Sequence, residues 1–132
     1  MKAKINIITL AVQNLDVSIS FYKEGLGFPM EEFVQGADHV VFRMEDDTSL
    51  VLYLRSELEE FTAASTAAKT NNVILSCAVE KKEEVDSILK TAIEFGGTIL
   101  PKQPKEFDWG YSGYFEDPDG HIWEVVYFNE GS

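Results

Sequence analysis

The pattern of apolar and polar positions runs through this chain twice. Each half opens with an apolar strand, passes into an amphipathic helix and closes with further apolar strands. In the first half these are residues 5–12 (INIITLAV), a helix around 16–24, and strands at 40–44 and 49–54. In the second they are residues 72–79 (NVILSCAV), a helix around 82–95, and strands at 113–115 and 121–128. A module of this size is too small to bury a core of its own, so two such modules are expected to pair and enclose a cavity between their sheets. The expected division is a first module at about 1–62, a connector at about 63–71 and a second module at about 72–132, forming one domain.

Strand alternation assigns faces. In the opening strand Ile5, Ile7, Thr9 and Ala11 share one face, and Asn6, Ile8, Leu10 and Val12 share the other. Both faces are apolar, which predicts cover on both sides. Asp16 is the expected N-cap of the first helix, with Leu15, Ile19, Tyr22 and Leu26 as its buried stripe. Gly25 and Gly27 end it. A strand is expected around 29–34 and a turn at 35–38. Leu50, Leu52 and Leu54 fall on one face of the strand at 49–54, and Val51 and Tyr53 on the other. Residues 57–61 suit a short helix, and the small, polar stretch at 63–70 suits a connector or a flap. In the second module Val85, Ile88, Leu89, Ala92 and Phe95 make the buried helical stripe, and Gly96-Gly97 caps it. A short strand at 98–100 and a polar loop at 101–108 follow. Asp117-Pro118-Asp119-Gly120 is a tight-turn signal.

Composition narrows the function classes. At 132 residues and 45% hydrophobic, the chain suits one packed domain. No apolar run reaches the roughly 18 residues of a membrane span. The opening Met1-Lys2-Ala3-Lys4 leads directly into a strand pattern, so no signal peptide is expected and a cytoplasmic location is. The single cysteine, Cys77, lies in an apolar strand and reads as a structural thiol. Eleven basic against 23 acidic residues give a formal charge of −12, which argues against a nucleic-acid partner. The same charge serves solubility and favours a cationic ligand over an anionic one.

The opening TLAVQNLDVSISFYKEGLGF and the closing YFEDPDGHIWEVVYF together resemble the vicinal oxygen chelate superfamily, which includes glyoxalase I, extradiol dioxygenases, and the fosfomycin and bleomycin resistance proteins. The resemblance covers nearly the whole chain. It implies an α+β fold of two paired βαβββ modules whose curved mixed sheets enclose a cleft, and a homodimer. It also implies a divalent-metal site built from inward-facing strand positions. Carried over one at a time, the opening-strand histidine of the metal enzymes falls here on Ile7. The ligand in the last strand of the first module falls on Leu52. The histidine that starts the second module falls on Asn72. The final-strand carboxylate is present, as Glu124. About three nitrogen or oxygen ligands are needed for such a site, and Ile7 and Leu52 cannot coordinate. No metal or other cofactor is therefore expected.

Glu124 is the leading candidate site residue, an acid between Ile122 and Val126 on its strand face. Trp109, Tyr111 and Phe42, with Phe33 and Tyr114, are candidates for the walls of an aromatic pocket, and flat apolar walls with few polar groups suit small molecules. His39 precedes a strand and is a candidate for the pocket rim. His121 alternates away from Glu124, as does Trp123, which is expected under a helix. The ligand-binding set read from the sequence is thus Glu124, Asn72, Leu52, Trp109, Tyr111, Phe42 and His39. Two functions compete. One is metal-free binding of a small organic molecule, cationic or aromatic, of the bleomycin-resistance kind. The other is a glyoxalase- or dioxygenase-type enzyme using Glu124 as general base or as ligand to a divalent metal ion.

Overall fold

A computed structural model describes residues 1–63 and 73–129. The chain divides into two compact units, Met1–Lys69 and Thr70–Ser132. The expected connector beyond Ala63, the flap read there, and Asn72 lie outside the described residues.

In the first unit, strand β1 (Ile7–Val12) pairs in parallel with β3 (Ser49–Leu54), and β2 (His39–Arg43) pairs antiparallel with β3. The order is β1-β3-β2. Between β1 and β2 the chain forms helix α1 (Leu15–Ile19), which runs straight into a π-helical turn, Ser20–Gly25. The N-cap is Asn14, not the expected Asp16: Val17 N–H donates to Asn14 Oδ1 at 3.1 Å, while Asp16 sits in the first turn, where its charge suits the helix dipole. The wider π turn changes the buried stripe. Phe21 and Tyr22, adjacent in sequence, are both wholly buried, because a residue inserted into the helical ladder rotates its neighbours. They meet edge to face at 5.1 Å, and Tyr22 also contacts Phe28 and Phe42. Phe42, Leu50, Leu52 and Val12 complete this core, each contributing about 1.5–3 kcal/mol by burial. The strand expected at 29–34 is reduced to one bridge, Met30 to Phe42, flanked by Glu31 N–H to Val41 O and Arg43 N–H to Pro29 O. Helix α2 (Arg55–Thr62) ends on Ala63 in the left-handed region and buries none of its side chains fully.

In the second unit, β4 (Ile74–Val79) pairs in parallel with β7 (Ile122–Phe128), which pairs antiparallel with β6 (Gly110–Glu116). Beyond β6 lies β5 (Thr98–Phe107), giving the order β4-β7-β6-β5. Helix α3 (Lys82–Glu94) connects β4 to β5 and buries Val85, Leu89 and Ala92. It stops in a glycine cap: Gly96 has φ +99°, Gly97 N–H reaches back to Ala92 O at 2.7 Å, and Gly96 N–H to Ile93 O. The loop expected at 101–108 is mostly strand. As the sheet edge, β5 tolerates Pro101 and Pro104, and a bulge between Leu100 and Lys105 absorbs the residues that do not pair with β6. The turn before β7 is organised by Asp117, whose Oδ1 accepts from the backbone N–H of Asp119 and His121, both at 2.9 Å. Trp123 is buried and its ring lies near-parallel to that of Phe115, while Cys77 is only half-buried. Among the described residues, no helix is long and apolar enough to cross a membrane.

Gly110, at the start of β6, has no space for a side chain: a Cβ there would lie 1.9 Å from the backbone oxygen of Tyr127. Gly110→Ala should therefore cost about 2 kcal/mol or more, by forcing β6 and β7 apart. Urea unfolding of the two proteins measures this, and equal midpoints would show that the strands yield without cost.

Candidate functional site

The face of the second sheet that carries Glu124 is set by alternation. Tyr111 and Gly113 point toward α3: the Tyr111 hydroxyl donates to Asp86 at 2.8 Å, and a Cβ on Gly113 would meet Leu89. Ser112 and Tyr114 therefore point to the opposite face. In register, Tyr114, Glu124 and Ser76 stand side by side across β6, β7 and β4. Ser76 Oγ–H donates to Glu124 Oε1 at 2.7 Å. The Tyr114 hydroxyl bonds to the same carboxylate, and that bond together with burial pushes the Tyr114 phenol above its ordinary range. Glu124 is half-buried, with Ile122 and Val126 beside it along β7.

An aromatic stack lies at one end of the same face. Phe107, Gly110 and Phe128 are paired across β5, β6 and β7. Trp109, in the turn between β5 and β6, bridges the two rings. Its ring stacks on Phe107 at 4.9 Å and 4°, and leans on Phe128 at 5.8 Å. All three are substantially exposed.

In the first unit, His39 pairs with Tyr53 on the face of the sheet opposite the buried Phe42 and Leu52. The two rings stack at 5.1 Å and 11°. Asp38 ties them together: Oδ1 lies 2.7 Å from His39 Nδ1, and Oδ2 accepts from the Tyr53 hydroxyl at 3.2 Å. The bond to His39 holds the Asp38 carboxyl below its usual range, while burial and the Asp38 bond raise the Tyr53 phenol.

Three of the residues read as candidates stand elsewhere. Leu52 is wholly buried between Leu10 and Val40 on the helix-covered side of its sheet, so it lines no ligand surface. The strand alternates correctly; the carried-over position was one face out, and Val51 and Tyr53 occupy the other face. Phe42 is likewise core, packed on Tyr22 and Phe28. Tyr111 faces α3, away from Glu124, beneath Lys82, whose ammonium lies 5.0 Å from the ring centre. Asn72 lies outside the described residues. Within β4 the residue matching Ile7 is Ile74, since each opens a six-residue strand paired in parallel with the last strand of its module. Ser76, Phe107, Phe128, Asp38 and Tyr53 were missed. Ser76 alone carried a signal, as a polar residue interrupting an apolar strand.

Among the described residues, the positions carried over do not supply a donor set for a divalent metal. Ile7 and Ile74 are exposed hydrocarbons, and Glu124 is flanked by hydroxyls, not imidazoles. Among the described residues no three His, Cys, Asp or Glu side chains are grouped to hold an ion.

Burial, and next the Asp86 bond, push the Tyr111 phenol up to about 12. A raised phenol favours the protonated folded state, so its contribution to stability is complete below the unfolded value near 10 and is lost as pH rises toward 12. Asp86→Asn should bring this titration down, as read by tyrosinate absorbance with Tyr111→Phe identifying the signal. An unshifted curve would remove Asp86 as a cause.

Residues 4–125 match the model of the Glyoxalase/Bleomycin resistance protein/Dioxygenase superfamily. A protein named metallothiol transferase FosB, from Shouchella clausii, is 30% identical over 122 residues, covering 92% of this chain and 77% of its own. A crystal structure of a glyoxalase-related enzyme from Fulvimarina pelagi superposes with a TM-score of 0.84 at 27% identity, covering 96% of this chain and 88% of that one. A lactoylglutathione lyase from Agrobacterium tumefaciens shares the fold, with a TM-score of 0.72 at 20% identity over 96% of this chain and 95% of that one. The repeated strand order, the turn before β7 and these likenesses agree: the chain belongs to the Glyoxalase/Bleomycin resistance protein/Dioxygenase superfamily.

Proposed function

We propose that this protein binds a small organic molecule, cationic or aromatic, on the Glu124 face of its second sheet, and does so without a metal. The observation that carries this reading is the carboxylate of Glu124, held by Ser76 and Tyr114 among apolar neighbours on the same face as the Phe107–Trp109–Phe128 stack. A fixed carboxylate takes a cation or a hydrogen-bond donor, and an aromatic platform takes a flat ring or a cation. Binding needs no coordination sphere, so isoleucine at Ile7 and Ile74 costs it nothing. The chain's charge of −12 raises the local concentration of basic ligands. The family resemblance supports a homodimer as the working form, and neither a nucleic acid nor a membrane is proposed as a partner.

The likeness to a named transferase and to a glyoxalase-related enzyme favours a second reading, an enzyme of the glyoxalase or dioxygenase type. In it, Glu124 is a general base whose proton is passed on by the adjacent hydroxyl of Tyr114 or Ser76.

An elongated probe with a flat ring at one end and an ammonium at the other, such as dansylcadaverine, titrated by fluorescence, tests the binding reading. Glu124→Gln should weaken binding by about tenfold or more, as expected for loss of a charge-assisted hydrogen bond. Trp109→Ala should weaken it several-fold, about the worth of an exposed cation–π contact. Unchanged affinity in Glu124→Gln would remove the carboxylate from the account.

A further inference from the structure

The Asp38–His39–Tyr53 group has a geometry that an ordinary surface histidine lacks. Three restraints act on one imidazole. Asp38 Oδ1, 2.7 Å away, fixes Nδ1. The parallel ring of Tyr53, at 5.1 Å, fixes the ring plane. The Tyr53 hydroxyl occupies the other carboxylate oxygen at 3.2 Å, so Asp38 cannot swing away freely. The backbone holds the arrangement as well, because Leu54 N–H donates to Asp38 O at 2.9 Å and His39 pairs with Tyr53 in the ladder. Phe61 of α2 meets the Tyr53 ring edge-on at 5.7 Å and backs the stack.

A carboxylate on Nδ1 selects the tautomer with the proton on Nδ1. Nε2 is then an acceptor, and it makes no hydrogen bond among the described residues. The His39 side chain is 45% exposed, so this nitrogen is reachable.

We propose that Asp38, His39 and Tyr53 form a proton-accepting site for a small hydroxyl- or thiol-bearing molecule, with His39 Nε2 as the accepting atom and Asp38 and Tyr53 as positioning residues. The Nε2 lone pair takes the proton, the O–H or S–H bond breaks, and its electron pair forms a bond from the oxygen or sulfur to the carbonyl carbon of an ester, whose bond to the leaving alkoxide oxygen then breaks. The imidazolium is paired with the Asp38 carboxylate and returns the proton to the product. Water is the simplest such molecule. Val41 and Val51 follow His39 and Tyr53 on the same face of the sheet, which suits a substrate with an apolar body. The site stands on the first module alone and does not depend on Glu124.

Two measurements test it. Nitrogen-15 NMR of the imidazoles in the wild-type protein, at a pH where they are neutral, should show His39 protonated on Nδ1, and Asp38→Ala should shift it toward the Nε2–H form. A wild-type His39 protonated on Nε2 would overturn the proposal without any variant having to fold. Hydrolysis of p-nitrophenyl acetate, with water as the protic partner, should fall about tenfold or more in His39→Gln and in Asp38→Ala. It should be unchanged in His121→Gln and slower in deuterium oxide for the wild type. Hydrolysis that is indifferent to His39, or that shows no solvent isotope effect, would also overturn it.

Discussion

In each module the first strand pairs in parallel with the last, and most of the architecture follows from that pairing. Parallel neighbours cannot be joined by a tight hairpin, so the chain must leave the sheet and return by a crossover. Here the return is long enough to include a helix and the intervening strands. The helix has to bury its apolar stripe, and it does so against one face of the sheet. That choice gives the two faces different fates: Phe42, Leu50 and Leu52 in the first module, and Phe115, Trp123 and Val125 in the second, become core. What alternates with them is left for chemistry. Glu124, Tyr114 and Ser76 share a face because the register β4-β7-β6 places them in one row, and His39 meets Tyr53 for the same reason.

The period of two was legible in the sequence, as were the two-module repeat, the helix at α3 with its double-glycine cap, and the turn at Asp117. Registers between strands were not. Leu52 was placed on a ligand face although its own alternation with Val51 left the choice open, and only the pairing with Leu10 and Val40 decides it. Tyr111 failed in the same way. Its hydroxyl found Asp86 on α3, a contact between residues 25 positions apart that local pattern does not encode. Of the expected stripe, Leu15 and Tyr22 are buried and Ile19 and Leu26 only partly, while Phe21, in the π turn, is buried beside Tyr22. The two prolines of β5 argued for a loop. An edge strand with a bulge accommodates them, since an edge residue need not donate to a neighbour.

The chemistry turns on what stands around a retained carboxylate. A metal would neutralise Glu124 and take the remaining coordination from nitrogen or oxygen donors. Two hydroxyls do something different: they hold the carboxylate in place by hydrogen bonds and bring no positive charge to it. A charge kept in a half-buried, partly apolar setting attracts a positive or strongly hydrogen-bonding partner more than the same charge in water does. Ile74, at the start of β4, adds exposed hydrocarbon surface to the second sheet. The first module keeps its own polar group at the other end of its sheet face, with a histidine directed by an aspartate. The two polar centres therefore differ in kind, one a carboxylate held by hydroxyls and one an imidazole hydrogen-bonded to a carboxylate.

Spacing limits what the Glu124 face can hold. Glu124 and Phe128 lie on the same side of β7, separated by four positions, which is about 13 Å along a strand. A compact ligand of one ring can touch the carboxylate or the Trp109 stack, but not both. A ligand that uses both must be elongated, with a basic or donor group at one end and a flat aromatic group at the other. Between them on the same side of β7 stands Val126, which is buried and apolar, so β7 offers no side-chain hydrogen bond along that stretch. On the proposed binding reading, strand rise and side-chain alternation favour an amphipathic, extended molecule over a small polar metabolite.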